Sequence, residues 1–241
     1  MKILHSKYIN SLYFLHVAKA GGTAMKSILR NFNHDHPDRA IGFLGHDVSL
    51  KLIRIFLPWA KVIFFVREPI SRAESAFYFR QRKGLPGYFE EWSQKEVKVF
   101  NQFPDFNALA EALSSDDSNI QKAANNAFET IHTLRWNLSH FLASTDHLSK
   151  SEHKIFFLGA QESFNNDLNN LIRIIGGDES YASRVNQKSA NRTASPPKVT
   201  LSPMALESLQ QFLANDIEIY NWCVNNKDRI NRRTLEKHTK V

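Results

Sequence analysis

The most constraining feature of this chain is a short apolar run that stops on a glycine pair and passes at once into helical periodicity. Leu12-Tyr13-Phe14-Leu15-His16-Val17 is rich in aromatic and branched residues and has the length of a buried strand. Ala18-Lys19-Ala20-Gly21-Gly22 follows, and from Thr23 to Phe32 apolar residues recur at helical spacing. A strand, a glycine turn and a helix make the first half of a parallel crossover unit, which commits the chain to helices layered on a sheet. The pattern recurs twice. Lys61-Val62-Ile63-Phe64-Phe65-Val66 precedes a helical stretch from Pro69 to Arg82, and Lys154-Ile155-Phe156-Phe157-Leu158 precedes another beginning at Ser163. The expected class is α/β, a central parallel sheet with helices on both faces.

Four further stretches have helical periodicity: Ser49 to Phe56, Phe106 to Leu113, Asn119 to Leu142 and Ser202 to Asn225. Asn33 to Arg39, Ser114 to Ser118, Ser144 to Ser151 and Lys188 to Lys198 have loop composition, and none reads as an interdomain linker. Between Phe106 and Leu148 no strand pattern interrupts the helices, so this part is expected as a cap beside the sheet.

Composition excludes whole classes. With 42% hydrophobic and 23% charged residues the chain is not disordered or fibrous. No run approaches the roughly 18 apolar residues of a membrane span, and the first eight residues lack the apolar core of a secretory signal. The single cysteine, Cys223, forms no internal disulfide and no cysteine-based zinc site. A soluble chain in a reducing cytoplasm is expected. The net charge of +7 suits an anionic partner. Part of that charge is concentrated in residues 227–241, expected as a solvated basic C-terminal tail.

Lys19 to Ala24 has the features of a phosphate cradle. Gly21 and Gly22 let backbone N–H groups approach an anion, Thr23 is placed to cap the helix and offer its hydroxyl, and the helix start adds partial positive charge to that of Lys19. It is not a Walker A motif, because the lysine precedes the glycines. The competing reading is a turn whose glycines serve packing and whose lysine is solvated. A second basic position, Arg67, follows the strand ending at Val66, and Ser71 and Ser75 share one face of the helix after it. In a parallel sheet both strand ends lie on one edge, so Arg67 and the Lys19 loop can face one ligand. The alternative is that Arg67 pairs with Glu68 or Glu74.

These two segments resemble the 5′-phosphosulfate loop and the 3′-phosphate segment of sulfotransferases that use 3′-phosphoadenosine 5′-phosphosulfate, and are most similar to the carbohydrate O-sulfotransferase branch. The resemblance continues weakly in Phe157 to Phe164, Asn186 to Thr193 and Asp216 to Tyr220. It departs from the family at Ala18 and Ala20, where relatives often carry proline and threonine. It implies one P-loop-like doubly wound domain over residues 1–241, with residues 85–148 as a helical insertion on the acceptor side. It further implies that Lys19, Ala20, Gly21, Gly22, Thr23, Ala24, Arg67 and Ser75 bind the nucleotide, and that Lys188 and Arg192 belong to a loop closing over it. By the same resemblance Lys19 stabilises the leaving phosphate, the product is adenosine 3′,5′-bisphosphate, no metal is expected, and the acceptor is a hydroxyl of the carbohydrate class rather than nucleic acid.

Such chemistry needs a base, and ten histidines are available. His34, His36, His147, His153 and His238 lie in loops, turns or the tail. The resemblance makes His16 a packing residue beneath the cradle and His46, in Gly45-His46 between the two phosphate segments, the candidate base. His46 with Asp47 could instead cap the Ser49 helix. His132 and His140, read as eight apart on one helix face, are held in reserve. Arg80, Arg82 and Lys83 read as surface charge that could meet an acidic acceptor. Two other functions compete: a nucleotide kinase, which needs a magnesium-binding Ser/Thr and a strand-end acid, and a basic nucleic-acid-binding module, for which no recognisable motif is present.

Overall fold

Four strands pair in parallel in the order β2-β1-β3-β4: β1 (Leu12–Leu15), β2 (Gly42–Leu44), β3 (Lys61–Val66) and β4 (Ile155–Ala160). The computed structural model describes residues 11–178, 180–181 and 200–238. Val62 to Val66 are all buried, and since successive side chains leave opposite faces of a strand, both faces of the sheet are covered. That is why these strands read as continuous apolar runs. β2 escapes such a reading: it has three residues, one a glycine, and pairs Gly42 with Tyr13. The outer edge of β4 is closed by a side chain, because Asn231 Nδ2 donates to the Leu158 carbonyl at 2.8 Å while its Oδ1 accepts the Leu158 N–H at 3.0 Å.

Eleven helices are described besides these strands. They are α1 (Gly22–Asp35), α2 (Leu50–Phe56), α3 (Pro69–Gln81), α4 (Gln94–Gln102), α5 (Phe106–Ala112), α6 (Ser118–Thr130), α7 (Leu138–Leu142), α8 (Thr145–Ser151), α9 (Phe164–Ile174), α10 (Pro203–Phe212) and α11 (Ala214–His238). The chain divides into two units. The first comprises Met1–Arg67, Leu138–Asn191 and Ile219–Val241 and holds the sheet; the second comprises Glu68–Asn137 and Arg192–Glu218 and is helical where described. Residues 85–148, expected as one insertion, are thus shared out, with Leu138 to Leu148 in the sheet unit.

Several element boundaries differ from expectation for local reasons. Ser144 to Ser151, expected as a loop, is α8: Ser144 Oγ accepts the His147 N–H at 3.1 Å, and Leu148 is buried. The stretch Asn119 to Leu142 is two helices, because Ile131 leaves the helical conformation and Thr133 Oγ1 donates to the Ala76 carbonyl at 2.8 Å instead. Ser202 to Asn225 also divides, after Phe212. The expected solvated tail is the end of α11 as far as residue 238. Lys227 bonds Asp167 at 2.9 Å, and Arg229 and Arg233 both pair with Glu152, at 2.6 and 2.7 Å.

The second unit is built around Phe77, with Phe100 and Phe106 rings 5.4 and 5.7 Å away, and Leu109, Phe128 and Leu209 buried in the same core. Its other organising contact is an ion pair. Arg80, expected at the surface, is only 2% exposed; it donates to Glu96 at 2.6 and 2.8 Å and to the carbonyls of Glu90 and Glu91, both at 2.7 Å. Arg82 is exposed, and Lys83 pairs with Glu91 and lies over the Trp92 ring at 5.0 Å. Ser93 and Glu96 form a capping box that starts α4.

Burial is the largest influence on the Glu96 carboxyl and pushes its pKa up, but hydrogen bonds from Arg80 and Ser93 outweigh it and hold the group below its ordinary value of 4.5. A depressed carboxyl contributes stability above the unfolded pKa and loses it as pH falls below. Replacing Glu96 by Gln strands the Arg80 charge, so Glu96→Gln should cost about 3–5 kcal/mol of stability at neutral pH and show a smaller difference in acid, read by urea denaturation.

Candidate functional site

β1 ends at Leu15, and the chain must turn into α1 by Gly22. It does so with two left-handed residues, Lys19 at φ +63° and Gly21 at φ +82°. Gly21 is the N-cap of α1 with no side-chain cap, and the first turn carries no acid. Thr23, expected as the cap, is an exposed residue of the first turn. The start of α1 therefore presents the orphan N–H groups of a helix end beside the half-buried Lys19.

Both glycines are demanded by contact. A Cβ on Gly21 would lie 2.6 Å from Gln161 Oε1 and 2.8 Å from the Phe164 ring, and a Cβ on Gly22 would lie 1.9 Å from the His16 ring. The room that these glycines leave is taken up by His16, Gln161 and Phe164, as in a turn whose glycines serve packing. Lys26, one turn into α1, is half-buried; burial and then Arg30 lower its pKa, and its charge reaches His16.

Arg67 follows the last residue of β3 and donates through Nη1 to the Lys19 carbonyl at 3.4 Å. β1 and β3 are neighbours, while β2 lies on the far side of β1. The strand order changes direction between β1 and β3, which is where open parallel sheets form their ligand crevice. The Arg67 guanidinium thus reaches the backbone of the turn that carries Lys19. The Glu68 carboxylate caps α3, accepting the N–H groups of Ile70 and Ser71 at 2.9 and 2.7 Å, and Ser71 Oγ donates to the Glu68 carbonyl at 3.1 Å. Ser75 is half-buried on α3 in the helical unit.

His46, after β2, is also at this sheet edge. Its Nδ1–H donates to the His16 carbonyl at 3.0 Å, which leaves the lone pair of the neutral ring on Nε2. The rings of His46 and His16 lie 4.1 Å apart, and His140 Nε2 donates to the His46 carbonyl at 2.8 Å. The capping alternative for His46 is replaced by Ser49, whose Oγ accepts the Leu52 N–H. His16 is 9% exposed with no partner for its Nδ1. Burial, followed by the charges of His46, Lys26 and Lys19, lowers its pKa to about 3, so it stays neutral. His132 is not on a helix with His140; it lies in the helical unit after α6, its ring 4.3 Å from that of Trp136.

The loop after β4 supports the turn from behind. Buried Asp167 accepts the Ala160 N–H at 2.8 Å, Ser163 Oγ at 2.6 Å and Lys227 Nζ at 2.9 Å, fixing the segment that carries Gln161. Sequence reasoning missed Lys26, Gln161, Asp167 and Lys227; only the periodicity of α9, which puts Asp167 beside Leu168 and Leu171, hinted that one of them faces inward. Lys188 and Arg192 lie outside the described residues. Among the described residues no three His, Cys, Asp or Glu side chains are gathered as a metal ligand set, and no helix is long and apolar enough to cross a membrane. No protein-family model matches the chain, and no curated protein matches it.

A buried neutral histidine makes the fold acid-sensitive. The unfolded chain takes up a proton near pH 6.5 and the folded one near 3, so stability is complete above about 6.5 and falls as pH drops toward 3. A His16→Gln variant should lose much of the acid dependence of Tm in that window; an acid limb parallel to the parent's would remove His16 as its source.

Proposed function

We propose that this chain transfers a sulfo group from 3′-phosphoadenosine 5′-phosphosulfate to a hydroxyl of an acceptor of the carbohydrate class. The observation that carries the reading is the convergence of Lys19 and Arg67 on one glycine turn at the crevice between β1 and β3, with Arg67 3.4 Å from the Lys19 carbonyl. The start of α1 and Lys19 suit the phosphosulfate end of the donor. By the resemblance of its segment, Arg67 takes the 3′-phosphate.

The residues present account for the chemistry. The acceptor oxygen forms a bond to sulfur as the bond from sulfur to the 5′-phosphate oxygen breaks, and the electron pair of that bond stays on the phosphate. Lys19 neutralises the growing charge, an interaction stronger in the transition state than before it. The acceptor proton passes to Nε2 of His46, whose ring is oriented by its Nδ1 bond to His16. His16, held neutral, positions that ring.

Adenosine 3′,5′-bisphosphate should raise Tm in a concentration-dependent manner, and Arg67→Ala should diminish the shift. A bisphosphate that leaves Tm unmoved while ATP with magnesium raises it would turn the reading to a kinase. His46→Ala should keep the bisphosphate shift and lower sulfo transfer about 10²–10⁴-fold in a radiolabelled-donor assay on a glycan array. Near-normal transfer by this variant would withdraw the base role.

A further inference from the structure

The opposite edge of the same sheet carries a second, chemically different opening. A cleft of about 680 Å³ lies against Leu12, Lys61 and Ile155, the first residues of β1, β3 and β4, whereas the site above follows the last residues of β1 and β3. Its volume is in the range of small-molecule sites. Its walls are aliphatic and aromatic, among them Phe32, Ile41, Trp59, Ile174 and Leu235. Five cations also line it, Arg39, Lys61, Arg173, Arg233 and Lys237, and among the described residues no Asp or Glu does.

Some of this charge is compensated locally. Arg233 pairs with Glu152, and Arg39 lies 3.8 Å from Asp38 and donates to the Ile175 carbonyl at 3.2 Å, which ties it to the loop after α9. Lys61, Arg173 and Lys237 have no carboxylate partner among the described residues. Lys61 instead donates to the His153 carbonyl at 2.6 Å. The cations feel one another: burial first, then Lys154, Lys237 and Arg233, lower the pKa of Lys61. A fold that gathers like charges around an apolar hollow carries a repulsion that an anion would relieve.

We propose that this cleft binds a single-chain amphipathic anion, its alkyl chain along the Ile41, Ile174 and Leu235 walls and its anionic head on Lys61, Arg173 and Lys237. A nucleotide fits less well, because beyond the cations the lining offers few side-chain hydrogen-bonding groups for a base: Ser11, Thr234, His153 and the indole N–H of Trp59. The proposal is independent of the sulfo-transfer reading, since it uses none of the same residues.

The test is calorimetric titration of the full chain with dodecanoate below its micellar concentration. One site is expected, and each buried methylene is worth about fourfold in affinity, so octanoate should bind at least about tenfold more weakly. Dodecyltrimethylammonium, with the same chain and the opposite charge, should also bind at least about tenfold more weakly. The double variant Arg173→Glu, Lys237→Glu changes two exposed side chains and should lose dodecanoate binding with Tm preserved; should it fail to fold, Arg173→Gln serves the same purpose with a smaller loss. Equal affinity for the cationic probe, undiminished binding by the folded variant, or ATP displacing dodecanoate would each overturn the proposal. So would binding to phosphatidylglycerol vesicles without any uptake of monomeric dodecanoate, which would make the cleft a membrane contact.

Discussion

β1 is hydrogen-bonded to β2 on one side and β3 on the other, and this four-residue strand sets where every other part of the sheet unit can go. Because all the pairings are parallel, each strand delivers its following loop to one edge and receives its preceding loop at the other. His16 and Lys19 after β1, His46 after β2, Arg67 after β3 and Gln161 after β4 come together for that reason alone. The left-handed conformation at Lys19 costs on the order of 1–2 kcal/mol. It persists because the turn is pinned on three sides: by His16 against Gly22, by Gln161 and Phe164 against Gly21, and by Arg67 on the Lys19 carbonyl.

Charge is distributed on the same plan. Acids serve as internal anchors: Asp167 and Glu152 hold α11 to the sheet unit through Lys227, Arg229 and Arg233, and Glu96 holds Arg80 within the helical unit. The cations left over by these pairings include those at the two sheet edges. Among the described residues, Lys19 and Arg67 stand at one sheet edge, and Arg39, Lys61, Arg173, Arg233 and Lys237 line the cleft at the other. The C-terminal residues show how a composition can mislead. A run dense in Lys and Arg reads as a solvated tail, but as the end of α11 it finds acids some 60 to 81 residues away in sequence.

What the sequence made legible was local. β1, β3 and β4 stand out because burial on both faces leaves unbroken apolar runs, and the glycine turn stands out because its residues are adjacent. β2 did not, since three residues give no period. α4 was missed although Ser93 and Glu96 stand at capping-box spacing and Val99, Phe100 and Phe103 follow at helical intervals, because nine residues give little more than two turns of period. Of the site, Lys19, Gly21, Gly22, Arg67 and His46 could be picked out one by one. The bond from His46 to the His16 carbonyl and the bond from Arg67 to the Lys19 turn are contacts across 30 and 48 positions, set by sheet order rather than by any pattern along the chain.

The two helices that follow the central strands begin in opposite ways, and the difference bears on how two anionic groups would be held. α1 starts on a bare glycine, so on the proposed reading its end amides and Lys19 form a cradle made mostly of backbone. α3 starts on Glu68, whose carboxylate already occupies the amides of Ile70 and Ser71. An anion near the end of β3 therefore finds no second backbone cradle and must rely on side chains, of which Arg67 is the one at the strand end. A planar guanidinium can grip two oxygens at once while still leaning on the Lys19 carbonyl, which a lysine ammonium cannot reproduce. On the proposed reading, the backbone cradle recognises the group that reacts and must be held in line. The guanidinium recognises the group that only anchors, and binding energy gathered there serves to position the reacting end.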